Sequence, residues 1–537
     1  MEPSNATTSR PSSMSLSPYK GPWNKLQAAH LLRRTLFGIR PEQLKQAVDL
    51  GLDATLDLLF QPAPVPALPV NYFKQDDVDA ALGETWVDKP LTPGNNGYKK
   101  RSLEIWWMNL IYQQGISLTE KMTLFWHNHF ATELDIYNNP VSGYRHISLL
   151  RENCLGNFKS LVEQVTIDSA MLRYLNGNQN ARQSPNENYA RELFELFTLG
   201  KGPTIGEGDY TNYTEDDVRE AAKVLTGWVV RGNNQPDNPV RVEFVNNRHD
   251  RSDKKFSKNL GGETIFTQQE GEYKLLIDLI FKQKVTARYI SRKLVLWFLH
   301  YEIDENIESA IIEPLASQLE AENFEISPVL RTLLSSEFFF DAYFKGTMIK
   351  NPLDYIFSQL KVLPLTLPEP FTFKEEGALG DYLFVAARDQ QMSPFNPPSV
   401  AGWPAYYQIP QHYSLWINSV TLVERRKIPN RIGNGFNRRG TRFTFDLIAH
   451  LDHVEDPFDP NVVVQSFAEL LLPLPLEAEQ IDIYKDALIP GLPDYEWSME
   501  YGEYLADQSN MAQRGSIQRK LQALVSSMLE APEFHLS

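Results

Sequence analysis

Apolar residues recur at every third or fourth position along most of this chain, the spacing of helices that bury one face. The first such stretch, 24–36, carries Leu26, Ala29 and Leu32 and stops at Gly38. Pro41 restarts the pattern through Leu44, Val48, Leu52, Leu56 and Leu59, with Gly51 breaking it into two short helices. Helices are expected at 102–114 and 117–130, the second opened by a Ser117…Glu120 capping box. Two more fill 143–175. The stretch 185–200 reads as one helix, capped by Asn186 and stopped by Gly200. At about 100° per residue, its Tyr189, Leu193, Leu196 and Phe197 share one face, and Glu187, Asn188, Arg191, Glu192 and Glu195 the other. Thr214 caps a helix that ends at Gly227. Helical spacing then fills 270–363 and a tail with helices at 416–426, 443–451, 462–471, 478–489 and 516–529. Only Val229-Val230 and 240–245 alternate with period two, as strands do.

The pattern predicts a mainly α protein, a large multi-helix body with a small β-hairpin excursion around 229–265. A disordered leader is expected at 1–22 and a helical domain at 23–430, which includes a Pro/Gly-rich connector at 61–100. A helical extension, 431–537, packs on that body. Composition agrees: 42% apolar and 12% aromatic residues in 537 make a globular chain with a large core. The net charge of −16, with no basic face evident, argues against nucleic acid as a partner. A single cysteine, Cys154, excludes an intrachain disulfide and a cysteine-based zinc site. No apolar run reaches the ~18 residues of a membrane span. The first seventeen residues lack the apolar core of a signal peptide. A cytoplasmic location is therefore expected, or an exported one if a signal peptide has been removed.

Polar residues set among aromatic ones mark the candidate chemistry. His127-Asn128-His129 sits within Leu124-Phe125-Trp126 and Phe130. Two histidines at i, i+2 point about 200° apart on a regular helix, so they converge only where the helix ends or unwinds. Burying them without partners is costly, which favours a shared polar site. His249-Asp250 with Lys254 is a loop able to bring an imidazole and a carboxylate into a cleft. The plainer alternative makes Glu187, Arg191 and Glu195 the i, i+4, i+8 ladder of a solvated helix. His30 and His300 are read as structural.

Several stretches together resemble one bacterial family. They are Leu31–Gly38, Glu120–Phe130, 185–200, Tyr213–Trp228, His249-Asp250 with Lys254, and Pro394–Pro404. The resemblance is to the family called domain of unknown function 1800 and runs over about 24–430. It implies no settled activity. It does imply frequent export, and a sulfatase-like partner protein encoded nearby. The chain departs from the family in its lack of an evident signal peptide and in a longer spacing from Lys254 to Leu260-Gly261.

The residues themselves suggest a divalent metal (Zn, Mn or Fe) held by His127, His129 and Glu195. Glu187, Glu192, His249 and Asp250 would act in water activation for hydrolysis. Asn186 and Asn188 would orient the site by hydrogen bonds, and Arg191 or Lys254 would hold an anionic substrate group. A metal-free alternative uses His249 or His127 as base beside a carboxylate. The alternative of another class is a non-catalytic scaffold or accessory protein whose polar motifs brace helix junctions. A metalloenzyme requires the histidine motifs to converge; a scaffold requires each to be satisfied locally.

Overall fold

A computed structural model describes residues 14–92, 94–206, 209–232, 234–235, 237–403 and 416–537. The chain is mainly α, and its strands form three two-stranded ribbons and one three-stranded sheet among the described residues, all antiparallel. Asn24 opens the first helix, Lys25–Thr35, by accepting from the Leu26 amide at 2.9 Å. Pro41–Leu50 and Leu52–Phe60 follow, separated at Gly51 as the pattern requires.

At the centre lies Thr119–His129, in which every residue but Asn128 is buried. A helix buried on all sides belongs to the middle of a large core. It packs on Pro140–Glu152. Ser117 and Glu120 do not form the expected capping box: the helix begins at Thr119 with no side-chain cap. Glu120 instead accepts from Trp107 Nε1 at 3.0 Å and Arg151 Nε at 2.8 Å, since a buried carboxylate is better satisfied by a cation than by a backbone amide.

The expected helix at 102–114 starts earlier, as Asn96–Gln113, and packs along Phe373–Asp389, a helix not anticipated from the sequence. The two approach closely at Gly380, where a Cβ would lie 2.7 Å from Ile105. Between 143 and 175 three helices form instead of two, because Asn157 and Asp168 each cap a new start. The hairpin forms as expected, with Trp228–Arg231 paired to Arg241–Phe244. A further ribbon joins Lys254–Lys255 to Thr264–Ile265.

In the tail, the helix expected at 443–451 is a strand, Thr441–Phe445, followed by a 3-10 segment, Leu447–His453. Phe443 and Phe445 point inward while Arg442 and Thr444 are exposed, which is period two. Asp494–Ala506 is a second unanticipated helix. Arg425, fully buried, ties the tail to the body by donating to the Lys350 carbonyl at 2.7 Å and contacting His535 at 3.2 Å. Of the expected leader, Ser17 and Tyr19 pair with Glu337 and Ser335, and residues 1–13 lie outside the described residues.

Candidate functional site

The polar-faced helix expected at 185–200 is built in two registers. Asn186 is not the expected cap: Glu187 holds that position without a side-chain bond, and Asn186 accepts from the Asn188 amide at 2.9 Å in the turn before it. The α-helix, Asn188–Glu192, widens into a π-helix, Leu193–Thr198. Leu199 and Gly200 both donate to the Phe194 carbonyl, which closes the wide turn. Single π-turns inside α-helices are frequent at functional sites. Here the Leu196 carbonyl accepts from Tyr289 Oη at 2.8 Å and Lys293 Nζ at 3.3 Å. The Phe197 carbonyl lies 2.9 Å from His129 Nε2. That carbonyl fixes the proton on Nε2, so Nδ1 is the acceptor for Lys293 Nζ at 3.0 Å. Burial and the Lys293 charge hold the His129 imidazole well below its ordinary pKa. Burial likewise lowers the Lys293 amine to about 7.

On the outer face Arg191 grips Glu215 through two bonds, 2.6 and 2.7 Å, and reaches Glu187 at 3.2 Å. Glu195 accepts from Tyr213 Oη at 3.0 Å and lies 3.7 Å from Lys201. Glu192 makes no side-chain hydrogen bond among the described residues. Burial, and then the neighbouring Glu195, raise its carboxyl to about 7.

His127 faces away from His129. The helix stays regular through both, so they diverge as i, i+2 geometry demands. His127 Nε2 accepts from the Phe395 amide at 3.0 Å, and the ring is boxed by Trp107, Phe395 and Trp403 at 5.4–5.7 Å. Burial, with a smaller contribution from His146, drops its pKa to about 3. Asn128 accepts from the Trp403 amide at 2.9 Å. Gly402 (φ +80°) crosses so near that a Cβ would meet Asn128 Oδ1 at 2.3 Å, so only glycine fits. The run His127-Asn128-His129 thus docks the 391–403 loop with its first two residues and the π-helix with its third. Pro404 lies outside the described residues.

His249 is in a third place. Its Nδ1 is 2.9 Å from the Thr226 carbonyl and its Nε2 2.9 Å from Glu272 Oε1. Lys254 Nζ donates to Glu272 Oε2 at 2.6 Å and to the Asp250 carbonyl at 2.7 Å, and the His249, Lys254 and Glu272 side chains are all fully buried. Burial opposes ionisation of Glu272, but the bonds from His249 and Lys254 outweigh it and hold the carboxyl down at about 2. The Asp250 carboxylate turns back onto its own loop, accepting from the Ser252 amide at 2.9 Å, and forms no pair with His249. Sequence reasoning missed Glu272. Its signal was an acid at the first position of the largely apolar helix Glu272–Phe281.

The expected residues therefore fall into three separate clusters. His127, His129 and Glu195 do not meet, and among the described residues no three His, Cys, Asp or Glu side chains are grouped to hold a metal ion. Asn186 and Asn188 serve the helix start, while Arg191 and Lys254 are committed to Glu215 and Glu272. No helix among the described residues is long and apolar enough to cross a membrane. No curated protein and no solved structure matches the chain. Residues 30–536 match the family described as "Protein of unknown function (DUF1800)", nearly the whole chain, and the protein belongs to that family.

Proposed function

We propose that the chain acts as a non-catalytic scaffold or accessory protein whose histidine motifs are internal braces. The observation that supports this reading is the engagement of both ring nitrogens of His129, and both of His249, by local partners. A ligating imidazole must turn a lone pair to the metal, and neither ring has one to spare. The rival proposal, a Zn, Mn or Fe hydrolase using His127, His129 and Glu195, requires the helix to unwind after Trp126. Elemental analysis of the dialysed protein separates the two. The brace reading expects no stoichiometric metal, and His127→Ala and Glu192→Ala proteins that differ from the parent in stability alone. Stoichiometric metal lost from both variants would overturn it. The sulfatase-like partner implied by the family resemblance is the first to test by co-purification.

A second reading has its own observation. Glu192 has no hydrogen-bond partner among the described residues, and burial raises its carboxyl to about 7 beside the Glu195–Tyr213 pair. Tyr174, bonded to Glu133 at 2.7 Å, feels its charge as well. A carboxyl poised near pH 7 is suited to general acid–base work without a metal. Its sign is testable. The unfolded carboxyl ionises near 4.5 and the folded one near 7, so folding loses stability as pH rises through that window. Glu192→Gln is therefore expected to be more stable than the parent at pH 7, and the gap should close below pH 4.5. A gap independent of pH would remove Glu192 from the list of acid–base groups.

A further inference from the structure

Between Arg425 and Arg442 the chain carries six arginines and one lysine and no acid, in a protein of net charge −16. This run forms two helices, Ser419–Lys427 and Pro429–Asn434, and enters the Phe436–Arg438/Thr441–Phe445 hairpin. Where they meet the Phe373–Asp389 helix they enclose a cavity of about 280 Å³. Lys427, Arg431, Arg438 and Asn437 stand in its wall with Tyr382 and Gln390.

Two acids, Asp389 and Glu424, also stand in the wall, and both are paired. Asp389 is held by Arg388 at 2.8 Å, and Glu424 by Lys427. Asp381 serves Arg101, Arg438 and Arg439 at once. Arg101 also bonds Glu104, whose carboxyl burial raises to about 7. Arg431 has no ion pair among the described residues, and its guanidinium lies 5.1 Å over the Tyr382 ring. Gln390, 1% exposed, lines the same cavity, and its side-chain Oε1 has no hydrogen-bond partner among the described residues. An unpartnered buried carbonyl oxygen calls for a donor, which the hydroxyl of a hydrogen phosphate supplies.

The geometry points to a binding site for a small tetrahedral oxyanion, a phosphate-type group, in this cavity, with Arg431 as its principal contact. A guanidinium presents two parallel N–H donors to such a group, and stacking on Tyr382 holds the plane of the fork. Arg438, with only its Nε committed to Asp381, contributes from the facing wall. Asn437 and the Gln390 amide add neutral polar contacts. Cations lining a cavity concentrate anions there even when the whole molecule is acidic. The volume falls at the small end of ligand pockets, which suits a phosphate bearing a short organic group. Nothing in the brace or acid–base readings depends on this site.

The test is a thermal-shift titration of the full chain with inorganic phosphate, at constant ionic strength with chloride as the control anion. A saturable rise in Tm at millimolar phosphate is expected. Arg431→Gln should weaken it about tenfold or more, the loss of a charged bidentate contact. Arg431→Lys keeps the charge and should still lose severalfold, since the fork is gone. Arg426→Gln, an exposed neighbour outside the cavity, should leave the affinity within about twofold. No saturable rise, or an unchanged response in both Arg431 variants, would overturn the site. An equal loss in Arg426→Gln would also overturn it, by showing a diffuse basic surface in place of a built pocket.

Discussion

Glu272→Ala is expected to destabilise the protein by about 3–5 kcal/mol, as removal of one member of a buried ion pair generally does. The variant leaves Lys254 with only the Asp250 carboxylate, 3.9 Å away, and takes a partner from His249; the Lys254 and His249 side chains are fully buried. It also frees the Gln268 amide, which donates to Glu272 at 2.9 Å. Chemical denaturation reads the total. Hydrogen exchange in Trp228–Arg231 and Lys254–Lys255 should accelerate first, because those strands lie against the cluster. Replacing both charges, as Glu272→Leu with Lys254→Met, should cost less than Glu272→Ala, since an apolar pair of like volume avoids the unpaired charge. A double variant worse than the single one would show that the cluster acts through packing. The carboxyl ordinarily ionises at 4.5 and here at about 2. Its contribution is therefore complete above pH 4.5 and is lost as pH falls through 2.

Asp381→Ala is the second large expected effect, about 2–4 kcal/mol. One carboxylate, 1% exposed, is shared by Arg101 at 2.7 Å, Arg439 at 3.0 Å and Arg438. Two of the three guanidiniums can partly rehydrate, being 33% and 40% exposed, which keeps the cost below that of Glu272. The loss should concentrate where the hairpin at Phe436–Arg438 docks on the Phe373–Asp389 helix, and proteolysis at the exposed Arg439 should quicken. A change below about 0.5 kcal/mol, the range of ordinary surface substitutions, would mean that the arginines are held by their aromatic contacts instead. Arg101 lies 4.0 Å over Phe384 and Arg439 3.6 Å over Phe73.

Much of the architecture was legible because burial writes its period into the chain. Helix starts with an unambiguous cap, such as Asn24 and Thr214, appear where expected. So does the hairpin announced by alternating valines. Errors arose where one residue type serves two purposes. Ser117 and Glu120 have the letters of a capping box, but Glu120 is claimed by Arg151 from another helix. Phe443–Leu451 is apolar enough for a helix, yet Phe443 and Phe445 are spaced as a strand. The π-register at Leu193–Thr198 left no mark that a 3.6-residue period could reveal. For the candidate site, the sequence showed which polar residues were unusual but not whom they meet. His129 with Lys293 and His249 with Glu272 are partnerships across 164 and 23 positions. The basic run after Arg425 is written in the sequence, but a net charge of −16 averages over it, and only the fold shows which of its side chains line one cavity.

The Phe395 amide that donates to His127 Nε2 is 268 positions further along the chain, and His127 Nδ1 has no hydrogen-bond partner among the described residues. A ribosome adds roughly 5–20 residues per second, so that amide arrives about 15–50 s after the histidine. Until then the sides of Trp107 and His127 that Phe395 and Trp403 cover lack those rings, and uncovered aromatic surface invites association with other unfinished chains. Nascent chains stopped before residue 395 should therefore be bound by chaperones more strongly than chains stopped after Trp403. Premature stop codons in the gene would thus be harmful as aggregates as well as through lost protein.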